Sequence, residues 1–239
     1  MLRGIYSASS GLDTSRDRMT VISNNIANIN TVGFKKDVFL TKSFAEILGK
    51  GISNEVPVID KIATDFTPGN LQHTGNINDI AIDGNGFFTI SKGDETLYTK
   101  RGVFKVNAQG ILMAENGYKV MGKNGPVHVG NSEYRVSEKG EVFVGGKKID
   151  ELDIVEFKKT NLLEKVGFSF FKNIGQASSP DTSSIIRQEY LEESNVNSIG
   201  AVVEMISLMD MTRFAEAQQK TIQMQDDTLR KSVNEVGQI

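Results

Sequence analysis

The first 29 residues carry an apolar periodicity that ends in a cluster of asparagines. Positions at steps of mostly three and four form one narrow helical face there, which is apolar except at Ser9 and Arg16 and predicts a helix. Its apolar residues are Leu2, Ile5, Leu12, Met19, Ile22, Ile26 and Ile29. Asparagine is a poor helix former because its amide competes for backbone hydrogen bonds, and four asparagines crowd the end of this helix. They are Asn24, Asn25, Asn28 and Asn30. We therefore expect a helix that ends in a polar turn before Gly33 and Phe34, although an ordinary amphipathic helix followed by a turn has the same periodicity.

A second helical pattern occupies the C-terminal segment, residues 186–239. Ser194 or Asn195 is suited to cap this helix ahead of Val196, and residues 201–236 contain neither glycine nor proline. Its apolar residues lie at three-four spacing, and the pattern becomes polar beyond Arg213. They are Ile199, Val202, Ile206 and Met209. So long a helix with so few apolar residues is not stable alone and needs a partner along its length.

The two ends of the chain carry opposite charge. Residues 1–36 hold five basic and two acidic side chains, whereas residues 186–239 hold five basic and nine acidic ones. Opposite charge favours pairing of the two helices, within one chain or between chains. Two interpretations follow: an ordinary protein whose ends pack together, or a subunit whose apolar residues contact other copies of itself. The sparse apolar faces favour the second.

Between the ends, residues 76–185 read as an antiparallel β domain. Short β-prone runs such as 80–82, 87–90 and 103–106 alternate with glycine, asparagine and aspartate, which is typical of strands joined by tight turns. Gly145 and Gly146 supply the positive φ angles of a two-residue hairpin. Residues 37–75 show no clear period and are assigned to a connector, with one short helix near residues 44–49. The predicted fold class is therefore α+β: a central antiparallel β domain with long N- and C-terminal helices that pair as a coiled-coil-like assembly element.

Composition excludes several classes of function. The net charge of −3 gives no reason to expect nucleic acid as a partner, and there is no cysteine for a disulfide, a nucleophile or a thiolate metal site. No apolar run is long enough to cross a bilayer. The N-terminal residues lack the apolar segment and small-residue cleavage site of a secretory signal peptide. We expect any export to proceed without a cleaved signal.

Four blocks of sequence resemble the rod and hook family, the axial proteins of the bacterial flagellum. The blocks read NNIANINTVGFK at 24–35, PGNLQHTGN and DIAIDGNGFF at 68–76 and 79–88, YTKRGVF at 98–104, and YLEESNV at 190–196, the last followed by 204–206 and Arg213. They occur in the family's order and span nearly the whole chain. Glu189 departs from the pattern, since glycine is common there, and Phe214 lies one place earlier than the usual aromatic. The short connector fits a proximal rod subunit, but proximal and distal positions both stay open.

The resemblance implies a structural subunit of the basal-body rod in the periplasm, without enzymatic activity, that transmits torque. Its implied partners are further copies of itself in a helical filament, other rod and hook subunits, and the flagellar export apparatus, through which subunits leave the cell unfolded. Head-to-tail contacts that do not close a ring build such an open filament. The expected assembly interface comprises Leu2, Ile5, Leu12, Met19, Ile22, Asn24, Asn25, Ile26, Asn28, Ile29, Gly33, Phe34, Ser194, Asn195, Val196, Ile199, Val202, Ile206, Met209 and Arg213.

No catalytic, cofactor-binding or metal site is expected, and no small-molecule substrate. Gly84 and Gly86 lack the third glycine and the helix of a dinucleotide site, so we interpret them as a structural turn. His73 and His128 do not lie at metal-ligand spacing, and no nucleophile elbow is present. Lys35 and its neighbour are expected to be solvated surface residues.

Two other functions remain as alternatives. One is a secreted β-rich binding or adhesion module that oligomerises through the same helices. The other is a cell-wall hydrolase acting beside the rod, which the missing catalytic residues make a poor match.

Overall fold

The computed structural model describes residues 2–43, 57–130, 132–175, 179–180 and 183–236. Two α-helices and nineteen strands occupy these ranges. The helices are α1 (Leu2–Ala27) and α2 (Ser198–Val236). The short helix predicted near residues 44–49 lies outside the described residues. By its internal contacts the chain divides into a helical unit, residues 1–27, 37–63 and 198–239, and a β-rich unit, residues 28–36 and 64–197.

In the helical unit, α1 and α2 pack against each other, and α1 also contacts the first strand. Two strands form a small sheet: β1 (Asp37–Ser43) and β2 (Pro57–Thr64). The buried apolar residues of the two helices include Val21 and Ile22 of α1 and Ala201 of α2. Arg18 lies 5.9 Å from the ring centroid of Phe39. Among the described residues, neither helix has the length and apolar character that crossing a bilayer requires.

The β-rich unit is built from short strands paired antiparallel. They are β3 (Leu71–His73), β4 (Ile80–Asp83), β5 (Phe87–Lys92), β6 (Glu95–Thr99), β7 (Lys105–Val106), β8 (Leu112–Met113), β9 (Lys119–Gly122), β10 (Gly125–Pro126), β11 (Tyr134–Val136), β12 (Glu141–Val144), β13 (Lys147–Glu151), β14 (Ile154–Glu156), β15 (Leu163–Val166), β16 (Phe170–Asn173), β17 (Ser179–Pro180), β18 (Ile185–Gln188) and β19 (Tyr190–Glu192). The largest sheet runs β15-β16-β6-β5-β9-β8-β7, with β10 on β9 and with β14, itself paired to β17, on β5.

Three smaller sheets complete this unit. One has the order β11-β12-β13, and its predicted hairpin is confirmed: Val144 pairs with Lys147 across two glycines that both have positive φ. The other two are pairs of strands distant in sequence, β18 with β4 and β19 with β3. The buried apolar residues form a large main core and a smaller second core, in which Phe87, Phe157 and Phe171 pack with Val155 and Leu163. In the second core, Phe66 packs edge-on against Phe171 and Phe87, with centroids 5.0 and 5.6 Å apart.

The predicted fold class is wrong, although the central antiparallel β-structure agrees with it. The described chain is mostly β, with strands also in the connector and at residues 185–192, of which 186–192 belong to the segment predicted to hold the C-terminal helix. The two helices are correspondingly shorter than expected, since α1 ends at Ala27 and α2 begins only at Ser198. The reason is long-range pairing: β18 and β19 exist because β4 and β3 supply hydrogen-bond partners about a hundred residues away.

Candidate functional site

Two distant segments of the β-rich unit, residues 31–36 and 190–196, lie side by side. The backbone N–H of Gly33 donates to the carbonyl of Glu192 at 2.8 Å, and the N–H of Asn195 donates to the carbonyl of Phe34 at 3.3 Å. Gly33 has φ of +67°, and a Cβ atom on it would lie 2.6 Å from the backbone nitrogen of Arg101. Only glycine combines this conformation with so close an approach. We call the region where these segments meet the junction.

The side chain of Asn195 holds three parts of the junction together. Its Oδ1 accepts a hydrogen bond from the backbone N–H of Lys36 at 2.8 Å. Its Nδ2 donates to the carbonyl of Asp65 at 2.8 Å and to that of Thr67 at 3.2 Å. An amide is suited to this task because it donates and accepts at once. Asn195 therefore acts as a structural tie between segments, not as a helix cap, since α2 begins three residues later.

A buried ion pair lies at the centre of the junction. Lys35 Nζ lies 2.5 Å from Glu192 Oε1, and the two side chains are 0% and 1% exposed. Lys35 also donates to the carbonyl of Thr67 at 2.8 Å, and the N–H of Gly69 donates to Glu192 Oε1 at 3.0 Å. Two charges removed from water are tolerated only when each is paired and hydrogen-bonded. The expectation that Lys35 is a solvated surface residue is therefore wrong.

Two further lysines surround this pair. Lys100, 1% exposed, places its Nζ 4.0 Å from Glu192 Oε2 and donates to the carbonyl of Gly84 at 2.5 Å. Lys165 donates to the carbonyl of Lys35 at 2.8 Å and lies 4.2 Å from the ring centroid of Phe34, which is fully buried. One buried carboxylate thus lies beside two buried ammonium groups and balances one of their two positive charges, which makes Glu192 the electrostatic centre of the junction.

Asp65 lies at the edge of the junction. Burial by itself raises the pKa of this carboxyl. Hydrogen bonds from the backbone and hydroxyl of Thr67, together with the ammonium of Lys36 at 3.6 Å, outweigh burial and hold the pKa of Asp65 below its ordinary value. The carboxylate form is therefore the one that the folded structure stabilises.

The asparagine cluster ends α1 by bonding to the backbone. In the helical unit, Asn25 is buried, and its amide both donates to the carbonyl of Asp37 and accepts from its N–H, each at 2.9 Å. In the β-rich unit, the N–H and hydroxyl of Thr31 donate to the backbone and side-chain oxygens of Asn28 at 3.0 and 3.1 Å. Asn25 and Asn28 thus shape the turn of their own chain, while Asn24 is exposed.

The apolar residues of α2 are exposed to solvent. Ile199 is 82% exposed, and Val202, Ile206 and Met209 are each more than half exposed. Further exposed apolar residues of this helix were not in the predicted set: Val203, Met205, Phe214 and Met224. Burying a side chain of this size is worth about 1.5–3 kcal/mol, so a face with this many exposed apolar residues is typical of an interaction surface.

The remaining predicted interface residues have varied surroundings. Ile22 is buried, and Met19, Ile26 and Ile29 are half-buried. The side chains of Leu2, Ile5 and Leu12 lie outside what the structure describes, although all three residues are part of α1. Val196 is buried, and Arg213 is exposed. Ser194 is half-buried, and its Oγ accepts a hydrogen bond from the backbone N–H of Val196 at 3.2 Å. Gly84 and Gly86 lie in the bend between β4 and β5.

Sequence reasoning missed the charged residues of the junction: Lys35, Lys100, Lys165 and Glu192. Lys35 and Glu192 do lie inside two of the sequence blocks quoted above, so the signal was present, but their pairing depends on the fold. Within the described ranges, no group of three or more histidine, aspartate or glutamate side chains is arranged to hold a metal ion. The geometry of the junction is that of a structural tie between the two ends of the β-rich unit.

Comparisons with known proteins point to the same family along the whole chain. Residues 5–35 match the family model described as flagella basal body rod protein, residues 81–144 match the flagellar hook protein FlgE/F/G D1 domain, and residues 187–235 match the flagellar basal body rod FlgEFG protein C-terminal model. The first and third of these matches contain Lys35 and Glu192, the two partners of the buried ion pair.

Several named rod proteins are similar to this chain over nearly the full length of both sequences. The flagellar basal-body rod protein FlgG of Bacillus subtilis (strain 168) is 32% identical over 98% of this chain and 99% of its own length. FlgG of Borreliella burgdorferi is 31% identical over 96% of this chain and 97% of its own. FlgF of Caulobacter vibrioides is 29% identical over the whole of both chains. On this evidence the chain belongs to the flagellar basal-body rod protein family.

Proposed function

We propose that this chain is a structural subunit of the flagellar basal-body rod that assembles with other copies through the exposed apolar residues of α2. The observation that carries the proposal is the exposure of Ile199, Val202, Ile206 and Met209, four residues that recur on one face of a helix. Family membership supports the rod as the location.

The same family membership supports other rod and hook subunits as neighbours at the two ends of the assembled segment. It also supports a structural role without catalysis, since the relatives above are rod proteins by name. We further propose that the chain leaves the cell through the flagellar export apparatus. We expect a strain without a hook to secrete the protein into the medium. We expect this secretion to be lost when the export apparatus is deleted. Continued secretion without that apparatus would contradict this part of the proposal.

Charge substitution on α2 tests the assembly surface. Ile206→Asp and Met209→Asp place a carboxylate on the apolar face, whereas Gln219→Asp places one at an exposed polar position of the same helix. We expect the first two variants to stay monomeric in sedimentation velocity at concentrations where the wild type and the Gln219 variant associate. They should also fail to restore motility in a deletion strain and be absent from purified basal bodies.

Circular dichroism of the monomers is the control for folding. An Ile206→Asp or Met209→Asp variant that associates and enters basal bodies like the wild type would contradict the proposed surface. The adhesion module considered above gains no support from the relatives, all of which are named as rod proteins.

A further inference from the structure

A cavity of about 570 Å³ opens in the β-rich unit beside the hairpin formed by β15 and β16. Its lining is partly apolar, including Leu97, Val166 and Phe170. Phe168, in the turn of the hairpin, also lines it and is 62% exposed, although a phenylalanine gains free energy when it is covered. A cavity of this volume lies within the range that accommodates a ligand or an inserted side chain.

Two residues that line this cavity each hold a buried polar atom without a hydrogen-bond partner among the described residues: Arg101 Nε and Ser169 Oγ. Ser169 is only 4% exposed. A buried polar group without a partner is destabilising, so native structures rarely leave one unsatisfied without a reason. Both atoms can donate a hydrogen bond, and the lining of the cavity that their residues share is partly apolar. The arrangement matches a ligand with an acceptor group on a short aliphatic chain.

The charges of the lining favour an anionic acceptor. Lys92 and Arg101 contribute two positive charges and Glu115 one negative charge. Arg101 Nη1 already lies 2.9 Å from Glu115 Oε2, at a carboxylate whose side chain is 53% exposed. Because a guanidinium presents several donors in one plane and the Arg101 side chain is 25% exposed, it can bind a second carboxylate besides that of Glu115. Glu115 therefore competes with any carboxylate that enters the cavity.

The chain itself carries carboxylates suited to this site. Asp210, Glu216 and Asp227 of α2 are exposed, and no described residue is paired with any of them. They lie on the helix whose exposed apolar residues are proposed above to contact other copies. We infer that the cavity beside Phe168 receives an aspartate or glutamate side chain from α2 of a second copy, held by Arg101 and Ser169 and covered by Phe168. This inference rests on the proposed function, because it names the surface that α2 meets.

Photo-crosslinking of the full-length chain tests the contact. Phe168→p-benzoylphenylalanine places a reactive group at the mouth of the cavity, and mixing it with isotopically labelled protein distinguishes links between copies from links within one. We expect mass spectrometry to find links from position 168 to residues 198–236 of a second copy. Links only to other regions, or no link between copies under conditions where the protein associates, would overturn the inference.

Two substitutions with opposite expected effects on self-association provide the second test. Arg101→Gln should weaken self-association about tenfold or more, since a hydrogen-bonded charge is worth about 1.5–3 kcal/mol. Glu115→Gln should strengthen it, because the competing carboxylate is gone, and a merely structural role of these residues would not do so. Arg187→Gln is the matched control, as Arg187 forms an exposed ion pair with Asp83 at 3.2 Å.

Equal association of the wild type and the Arg101 variant, or weaker association of the Glu115 variant, would overturn the inference. If Ile206→Asp abolishes association while Arg101→Gln leaves it unchanged, the proposed function stands and this inference alone fails. If neither substitution changes association, both fail.

Discussion

Lys35 and Glu192 lie 157 positions apart in the sequence and form an ion pair, 2.5 Å from Nζ to Oε1, that solvent does not reach. This pair joins the segment that leaves α1 to the segment that leads into α2. Backbone bonds from Gly33 and Asn195 reinforce it on both sides. The two ends of the β-rich unit are therefore held together, and a substitution in either segment should lower the stability of the whole junction.

Removing either partner of the pair should destabilise the protein, but not equally. Glu192→Gln removes the carboxylate that lies beside both Lys35 and Lys100, whereas Lys35→Met leaves Glu192 with Lys100 at 4.0 Å and with the N–H of Gly69. Breaking a buried pair costs about 3–5 kcal/mol. We expect Glu192→Gln to have the larger effect on the free energy of unfolding in urea. Lys36→Met is the control, since Lys36 is 33% exposed and should cost about 1 kcal/mol or less. Equal effects of all three would contradict a buried electrostatic centre.

Gly33→Ala should lower the free energy of unfolding clearly more than Gly93→Ala, although the two glycines have similar φ angles. Gly33 and Gly93 have φ of +67° and +63°, but a Cβ atom on Gly93 meets nothing within 4 Å. A left-handed conformation alone costs a residue with a side chain about 1–2 kcal/mol. We expect Gly93→Ala to lose about that much in thermal or urea unfolding. Gly33→Ala should lose clearly more because the junction must open to admit the methyl group. A similar loss in both would show that the close approach to Arg101 is unimportant.

Glu189→Gly should stabilise the protein by about 1 kcal/mol. Glu189 has φ of +68°, which is unfavourable for any residue with a Cβ atom, and its ion pair with His73 at 3.5 Å is exposed and weak. Glu189→Ala separates the two effects, since it removes the carboxylate and keeps the Cβ atom. We expect Glu189→Gly to have a higher free energy of unfolding than both the wild type and Glu189→Ala. The prediction fails if glycine and alanine give the same value.

Asp65 should contribute a pH-dependent stability. Its pKa is lowered in the folded protein from the ordinary value of 3.8, so its contribution is fully present above that value and is lost as the pH falls through the lower, folded-state pKa. Asp65→Asn should reduce the free energy of unfolding at neutral pH and flatten its decline in acid. Urea unfolding across a series of pH values below about 5 measures both. Curves of identical slope for the wild type and the variant would argue against the shift.

The sequence by itself determined the local features that depend on neighbouring residues. The asparagine cluster predicted that a polar turn before Gly33 ends α1, although the helix ends at Ala27, earlier than its periodicity indicates. The paired glycines predicted the hairpin between β12 and β13. The alternating runs predicted many of the central strands, and the four sequence blocks identified the family. These features follow from turn chemistry and from side-chain periodicity, which act over a few residues.

The tertiary structure alone decided the features that depend on distant partners. β18 and β19 are strands because β4 and β3 lie beside them, which no local pattern at residues 185–192 indicates. Lys35 is buried because Glu192 and the carbonyl of Thr67 are brought to it by the fold. Whether a lysine is solvated or buried depends on the free energy of the charge in its final surroundings. Residues more than a hundred positions away create those surroundings.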